Sequence, residues 1–500
     1  MKIDDFFARL AVHAGQDRRP AIVGTGGSHL SYSDLIARVD STAQRLRDAG
    51  VRVLATVLDN GPSWIVADLA TLRAGVVHVP LPGFFTPAMQ ALALEVSGAD
   101  ALASTRESAP PAGFDAAVPI GPDLALFQRD VRSVTMPPGT VKITFTSGST
   151  GQPKGVCLSG IQMLEVARGL AQAVEGLAIE RHLNTLPFPV LLENIAGVQA
   201  PLWQGASCVA LPLDAIGLSG SSSFSPGTYL QTLQAYQPHS IILLPQMLRA
   251  ITATLAGARL RAPASLRLAA VGGAAVGRVL LRQAHAAGLP AYEGYGLSEG
   301  ASVQTLNLPH AHRPGSAGRP LPHARVRTTA DGEIEICGSV FAGYLGQAHE
   351  PPQWWPTGDL GRLDEEGYLH VHGRKKHVLI TSFGRNVSPE WVETELRAEP
   401  AILQAVVLGE GRPTLGAVLW PLHPGVDDTR IRHAIEQANA RLPDYARIGA
   451  WCRADTPFDA DSGLATANGR PRREAVAALY EHRLFADPNA SPAFDAQPKR

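Results

Sequence analysis

The sequence predicts an α/β protein with two domains. A large N-terminal domain is built of two α/β subdomains plus a small β-rich element, and a small, mobile α+β domain follows it. Three observations carry this expectation. Short apolar, β-branched runs alternate with helix-length segments, the pattern of parallel sheets covered by helices. The alternation occurs twice, and near residue 376 the composition of a new compact unit begins.

The elements follow in order. The run at 52–58 reads as a strand, 62–74 as a helix and 76–80 as the next strand. Residues 141–146 (Val-Lys-Ile-Thr-Phe-Thr) alternate β-branched and aromatic side chains as a strand does. Strands at 240–244 and 266–271 repeat the pattern in a second half, and around 334–337 and 368–371 strands shorten while turn residues multiply. Beyond Lys376, helices are expected at 389–396 and 428–442 and strands at 405–408 and 416–420. The domains are thus 1–375 and 376–485, and the Pro-, Ala- and Asp-rich stretch 486–500 reads as a disordered tail. Gly24, Gly26 and Gly27 imitate a dinucleotide fingerprint, but His29 stands where its last glycine belongs, so a turn is expected.

Composition excludes several classes. An apolar fraction of 45% and a net charge of −1 describe an ordinary globular protein with no electrostatic case for nucleic acid or an anionic membrane. The first residues carry acids where a signal peptide would be apolar, and no apolar run has bilayer-spanning length, so a cytoplasmic protein that is not integral to a membrane is expected. Cys157, Cys208, Cys337 and Cys452 are far apart and read as reduced packing residues. His370, His372 and His377 lack an evident acidic or cysteine partner, so a surface strand is expected there rather than a metal site. Nothing in the chain sets its oligomeric state.

The densest chemistry lies at 144–155. Thr146, Ser147, Ser149 and Thr150 supply hydroxyls, Gly148 and Gly151 let backbone amides converge on an anion, and Lys154 adds a charge. Pro153 occupies the slot where a Walker loop needs glycine, so a nucleotide loop of another class is implied. Further motifs follow in a fixed order: Gly272 with Gly273, Tyr-Gly-Leu-Ser-Glu ending at Glu299, Thr-Gly-Asp ending at Asp359, and Gly-Arg-Lys-Lys ending at Lys376.

Together these motifs resemble those of the acyl-adenylate-forming synthetase superfamily of acyl-CoA synthetases, peptide-synthetase adenylation domains and luciferases, over roughly residues 30–480. The resemblance implies ATP and Mg²⁺ as cofactors, a carboxylic acid as substrate, and coenzyme A, the phosphopantetheine of an acyl carrier protein or an amine as acceptor. Glu299 would hold Mg²⁺, Asp359 the ribose hydroxyls, and Tyr295, beside Gly296, would stack on adenine. Ser298 fills the usual threonine position, and Arg374 would reach the ribose or phosphates. Lys376 would be the hinge of a swinging C-terminal domain, whose loop 380–390 would line a pantetheine channel.

Two departures stand out. Lysine occurs only at 2, 142, 154, 375, 376 and 499, so the C-terminal catalytic lysine is replaced by Arg470, which either supports adenylation or impairs it and leaves an adenylate-binding protein. In the segment 186–194, which resembles the acid-pocket motif of long-chain acyl-CoA synthetases, Val190 replaces histidine while Glu193 stays as a gate or a packing acid. Phe188 and Val190, with Val271 and Ala274, are expected to line a pocket for an alkyl or aryl acid.

Overall fold

The structure is a computed structural model that describes residues 2–16, 19–108, 113–115, 117–146, 154–219, 223–347, 350–466 and 469–485. The expected tail at 486–500 lies outside them.

Two large sheets form the N-terminal body. The first runs in the order Gly343–Tyr344, Lys154–Ser159, Thr140–Thr146, Val77–Pro80, Val53–Thr56, Ala101–Thr105, Leu124–Gln128 and Val118–Pro119. Its centre is parallel and its flanks antiparallel. The second has a parallel centre of Ser207–Val209, Arg181–Leu183, Ser240–Leu243, Leu268–Val271 and Ala291–Leu297. Parallel strands buried on both faces need helices over them, and their near-continuous apolar runs supply the contact.

Local chemistry sets the helix ends. Pro62 opens Pro62–Ala74 at a position where no amide is needed, and Gly75 closes it in the left-handed region at φ 71°. Reciprocal caps start two others: Ser31 with Asp34 before Tyr32–Asp48, and Ser159 with Gln162 before Gly160–Val174. Glu193–Gln199 is a π-helix, a form often found at functional sites. The Gly24 segment is the expected turn, a short 3₁₀ turn at Thr25–Gly27 between two strands.

A four-stranded antiparallel sheet, Ala324–Thr328, Glu333–Gly338, Trp355–Leu363 and Leu369–Arg374, is the β-rich element. Beyond it Ile402–Leu408, Leu415–Pro421 and Ile448–Arg453 form a small sheet flanked by helices Pro389–Arg397, Asp428–Ala440 and Arg473–Phe485. This part has apolar clusters of its own, built around Val392, Val407 and Ile431 on one side and Val406, Phe458 and Tyr480 on the other.

His370 differs from its expectation. It is only 9% exposed, and its Nε2 lies 2.9 Å from Asp364 Oδ2, because the turn before its strand folds back six residues to bring the acid alongside. No group of three or more metal-ligating side chains is gathered among the described residues. No described helix is long and apolar enough to cross a membrane. The four cysteines are free, three of them buried.

Candidate active site

The strands of the second sheet end at a common edge, where open α/β sheets bind ligands. Gly272 follows Val271 there, its amide bonded to the Leu243 carbonyl at 3.2 Å. Gly273 has φ 86°, and a Cβ on it would lie 3.1 Å from Leu244 Cδ2. The next strand ends in Tyr295, Gly296 and the Ser298–Gly300 turn. A Cβ on Gly296 would lie 1.9 Å from the Ser302 carbonyl oxygen, so the chain doubles back here only because residue 296 is glycine.

Asp359 is 6% exposed. The Tyr295 hydroxyl donates to its Oδ2 at 2.7 Å, and Arg374 Nε lies 2.9 Å from its Oδ1. Asp359 and Arg374 are register partners on neighbouring strands, which fixes the pair from the backbone up. Burial raises the Asp359 pKa, against the opposing pull of Arg374 and Tyr295. The pair of bonds leaves about half of the carboxylate's lone-pair sites for a ligand. Tyr295 is half-buried and tied by its hydroxyl, so part of its ring stays accessible.

Glu299 is half-buried beside Ser298, and Oε1 accepts the Tyr344 hydroxyl at 2.8 Å. Lys154 Nζ stands 5.3 Å from the Tyr344 ring centroid. Sequence reasoning missed Tyr344, whose aromatic position in a two-residue strand carries no distinguishing mark. Thr146 and Lys154 are register partners at the two ends of the Ser- and Gly-rich loop. Ser147, Gly148, Ser149, Thr150 and Gly151 lie outside the described residues.

Arg470 reaches this edge from the C-terminal part. Its Nη2 donates to the Gly273 carbonyl at 3.3 Å, and the Thr466 hydroxyl accepts its backbone amide at 3.2 Å. The protein around it, then Arg374, push its pKa down while Asp359 and Glu299 pull it up. Lys376 is pushed down too, first by burial and then by Arg374 with a share from Lys154. Arg374 and Arg470 thus lie by Asp359 and Glu299, with Lys154 over the Tyr344 ring that holds Glu299 and Lys376 close to Arg374 and Lys154. Such a surplus of positive charge fits a polyphosphate. Mg²⁺ fits as well: it takes one or two carboxylates with phosphate oxygens and water, and among the described residues nothing donates to Glu299 Oε2.

The expected acyl-pocket residues fall elsewhere. Phe188 has no exposed surface and tilts against Trp64 at 5.0 Å between centroids. Glu193 is equally buried, its carboxylate accepting Asn184 Nδ2 at 2.8 Å and the amides of Thr185 and Leu186 at 3.3 and 3.1 Å. Val190 is half-buried at the start of the π-helix, Val271 is core and Ala274 is exposed. The structure thus gathers the described residues expected to bind nucleotide at one edge and leaves Phe188 and Glu193 in the interior behind it.

A second cluster was not foreseen. Lys142 Nζ lies 2.5 Å from Asp68 Oδ1 and also bonds Asn194 Oδ1, and His78 Nδ1 lies 2.7 Å from the same Asp68 oxygen. All four side chains are almost wholly buried. Burial alone would raise the Asp68 pKa, but Lys142 and His78 outweigh it and hold the carboxyl well below the usual range. Lys142 lies on the strand leading into the Ser- and Gly-rich loop, and Asn194 lies in the π-helix, so the cluster ties the two together.

Comparison with known proteins agrees with this geometry. A long-chain-fatty-acid–CoA ligase of Mycobacterium bovis is 33% identical over 43% of this chain, and the match spans only 40% of that ligase. A feruloyl-CoA synthase of an Amycolatopsis species is 31% identical over 85% of this chain and 88% of its own length. Among solved structures, the Bacillus subtilis o-succinylbenzoate CoA synthetase in complex with its acyl-adenylate intermediate shares the fold, with a TM-score of 0.74 at 23% identity over 94% of this chain and 97% of that one. Residues 10–344 match the AMP-binding enzyme family and residues 376–485 its C-terminal domain, so the chain belongs to the AMP-binding enzymes.

Proposed function

We propose that this chain is an AMP-forming acid–thiol ligase. It activates an alkyl or aryl carboxylic acid with ATP and passes the acyl group to the thiol of coenzyme A. The observation that carries the reading is the meeting of Lys154, Arg374 and Arg470 around Glu299 and Asp359: Arg374 pairs with Asp359, Arg470 reaches Gly273, and Lys154 stands over the Tyr344 ring whose hydroxyl holds Glu299. In the first half-reaction a carboxylate oxygen bonds to the α-phosphorus and the bond to the pyrophosphate oxygen breaks. Two anions approach each other, so the residues present must neutralise charge.

Each side chain then has a task. Asp359 accepts the ribose hydroxyls with its remaining lone pairs, Tyr295 and Gly296 shape the adenine slot, and Gly272 and Gly273 allow close approach of the backbone. Lys154 and the loop of residues 146–151 hold the terminal phosphates, and Arg470 forks across the reacting oxygens. Glu299 and phosphate oxygens would hold Mg²⁺, which supplies further neutralisation when bound. The acid is proposed to enter past Val190 and the π-helix, with Phe188 and Glu193 bracing that wall. In the second half-reaction the thiol attacks the acyl carbon and AMP leaves, with residues 376–485 turning about Lys376 against the 1–375 body to bring the loop 380–390 to the site.

The relatives are CoA ligases, which favours coenzyme A as acceptor; feruloyl, long-chain-fatty-acid and indoleacetate ligases among them point to an acid with a large apolar group, while an oxalate ligase of Arabidopsis thaliana takes an acid with none. A carrier-bound phosphopantetheine is the second acceptor by chemistry. An ATP–pyrophosphate exchange assay across straight-chain and aryl acids tests the first step: acid-dependent exchange is expected, and none with any acid would overturn the reading. Coenzyme A against a phosphopantetheinylated carrier then separates the acceptors. A soluble ligase working in the cytoplasm is the setting that fits ATP and coenzyme A as substrates.

A further inference from the structure

Apart from the nucleotide edge, the two parts of the chain meet at a second polar point. Gln246 and Arg249, at the start of helix Pro245–Ala258, face Thr394 and Arg397 of helix Pro389–Arg397 across a cavity of about 50 Å³. Arg249 makes no hydrogen bond or ion pair with any described residue. Burial, and then the charge of Arg397, push its pKa down to about 10. Arg397 gives two of its five N–H donors to its own helix, Nε to the Glu393 carbonyl at 3.1 Å and Nη2 to the Thr394 hydroxyl at 3.3 Å, and its Nη1 has no hydrogen-bond partner among the described residues.

The acids nearby are already committed. Glu393 is 2.5 Å from Arg473, and Glu390 is 2.5 Å from His377. Glu293, which accepts the amide of Val276 in the cavity wall, has its carboxyl pushed by burial up to about 7. Two guanidiniums therefore face one space with no carboxylate of the described residues bonded to either, although Glu393 and Glu390 act on Arg397 from its own helix, and each guanidinium keeps N–H donors suited to an oxyanion. A cavity that holds one water needs only ~10–15 Å³ on this measure, so there is room for one tetrahedral ion.

We propose that Arg249 and Arg397 form a binding site for a tetrahedral oxyanion of the phosphate class, which bridges the two parts of the chain. Each part contributes one of the two cations, so the bound ion favours this arrangement over any in which the parts separate. The ion is either free in solution or the 3′-phosphate of coenzyme A, held here before the C-terminal part turns to deliver the thiol. Only the latter source rests on the ligase reading.

The test is calorimetric titration of inorganic phosphate into the full chain at low ionic strength, without ATP or acid. The wild type is expected to bind phosphate at one more site than Arg249→Gln or Arg397→Gln. Arg249→Lys, which keeps the charge and loses the fork, should weaken that site about tenfold without abolishing it. Arg249→Glu puts a carboxylate where the ion would sit and should leave no site there. Circular dichroism identifies any variant that has unfolded, and Arg249→Lys then stands as the reporting variant. Identical stoichiometry and affinity in the wild type and the folded variants would overturn the proposal. Displacement of phosphate by coenzyme A but not by dephospho-coenzyme A assigns the 3′-phosphate as the source, and displacement by neither assigns the free ion. No step needs catalysis, so a failed exchange assay leaves this site standing, and an active ligase that lacks the site overturns this inference alone.

Discussion

At Glu299 one carboxylate oxygen is held by Tyr344 and the other has no donor among the described residues, so on the proposed reading the side chain is oriented before a metal would bind. Glu299→Gln keeps the size and the Tyr344 contact but halves neither bulk nor packing; it removes charge alone. Pyrophosphate exchange is expected to slow by about a hundredfold while the unfolding transition stays in place, and unchanged exchange would take Glu299 out of the mechanism. Glu293 makes a different prediction. Burial lifts its pKa from 4.5 to about 7. A raised acid favours its protonated form in the fold, so its contribution is intact below pH 4.5 and is lost as pH rises through about 7. Glu293→Gln can still accept the Val276 amide, and at pH 8 it should stabilise the protein by about 1–3 kcal/mol, allowing for partial screening of a half-buried group. At pH 4 the two proteins should have equal stability in urea titrations; a difference that does not change with pH would contradict the assignment.

At the scale of elements, the strand Thr140–Thr146 and the π-helix Glu193–Gln199 are joined by Lys142, Asp68 and Asn194 rather than by apolar contacts alone. Lys142→Met strands the Asp68 charge in the interior, a loss expected to cost about 3–5 kcal/mol in denaturant unfolding. Adding Asp68→Asn should recover part of it, because the couple acts as a unit. A loss below about 1 kcal/mol would mean that His78 takes up the charge instead. The helix at 62–74 was legible because Pro62 and Gly75 punctuate it, and the strand at 141–146 because its side chains alternate. The motifs around Gly272, Tyr295, Glu299 and Asp359 were legible as motifs because each is local in sequence. The π-helix was not: its hydrogen bonds break the helical period, and the prolines at 187 and 189 before it read as a loop. Nor was Tyr344, because its partner Glu299 is 45 residues away and only the fold brings them together. Nor was the Lys142 cluster, because Asp68 and Asn194 lie 74 and 52 residues away and only the fold brings them to the lysine.

For the whole molecule, the position of Arg470 identifies which arrangement this is. Its bond to the Gly273 carbonyl joins the C-terminal part to the nucleotide edge, and a Cβ on Gly277 would lie 2.9 Å from Thr394 Cγ2, so the parts are in close contact. On the proposed ligase reading a thiol would have to reach the centre that Arg470 faces here, and one side of the site would not serve both steps at once. The two half-reactions should then separate genetically. Proline at 376 fixes φ near −65°, a value compatible with the 3₁₀ turn Lys375–His377 seen here but restrictive for a swing. Lys376→Pro is expected to retain pyrophosphate exchange within about threefold and to slow thioester formation by more than tenfold. Arg470→Ala should do the reverse, losing exchange while still making thioester from supplied acyl-adenylate, and Arg470→Lys should keep exchange at or above the wild-type rate. Measuring both half-reactions on the same preparations decides the matter: if Lys376→Pro and Arg470→Ala depress the two steps in the same proportion, the C-terminal part works from a single arrangement and the hinge reading fails.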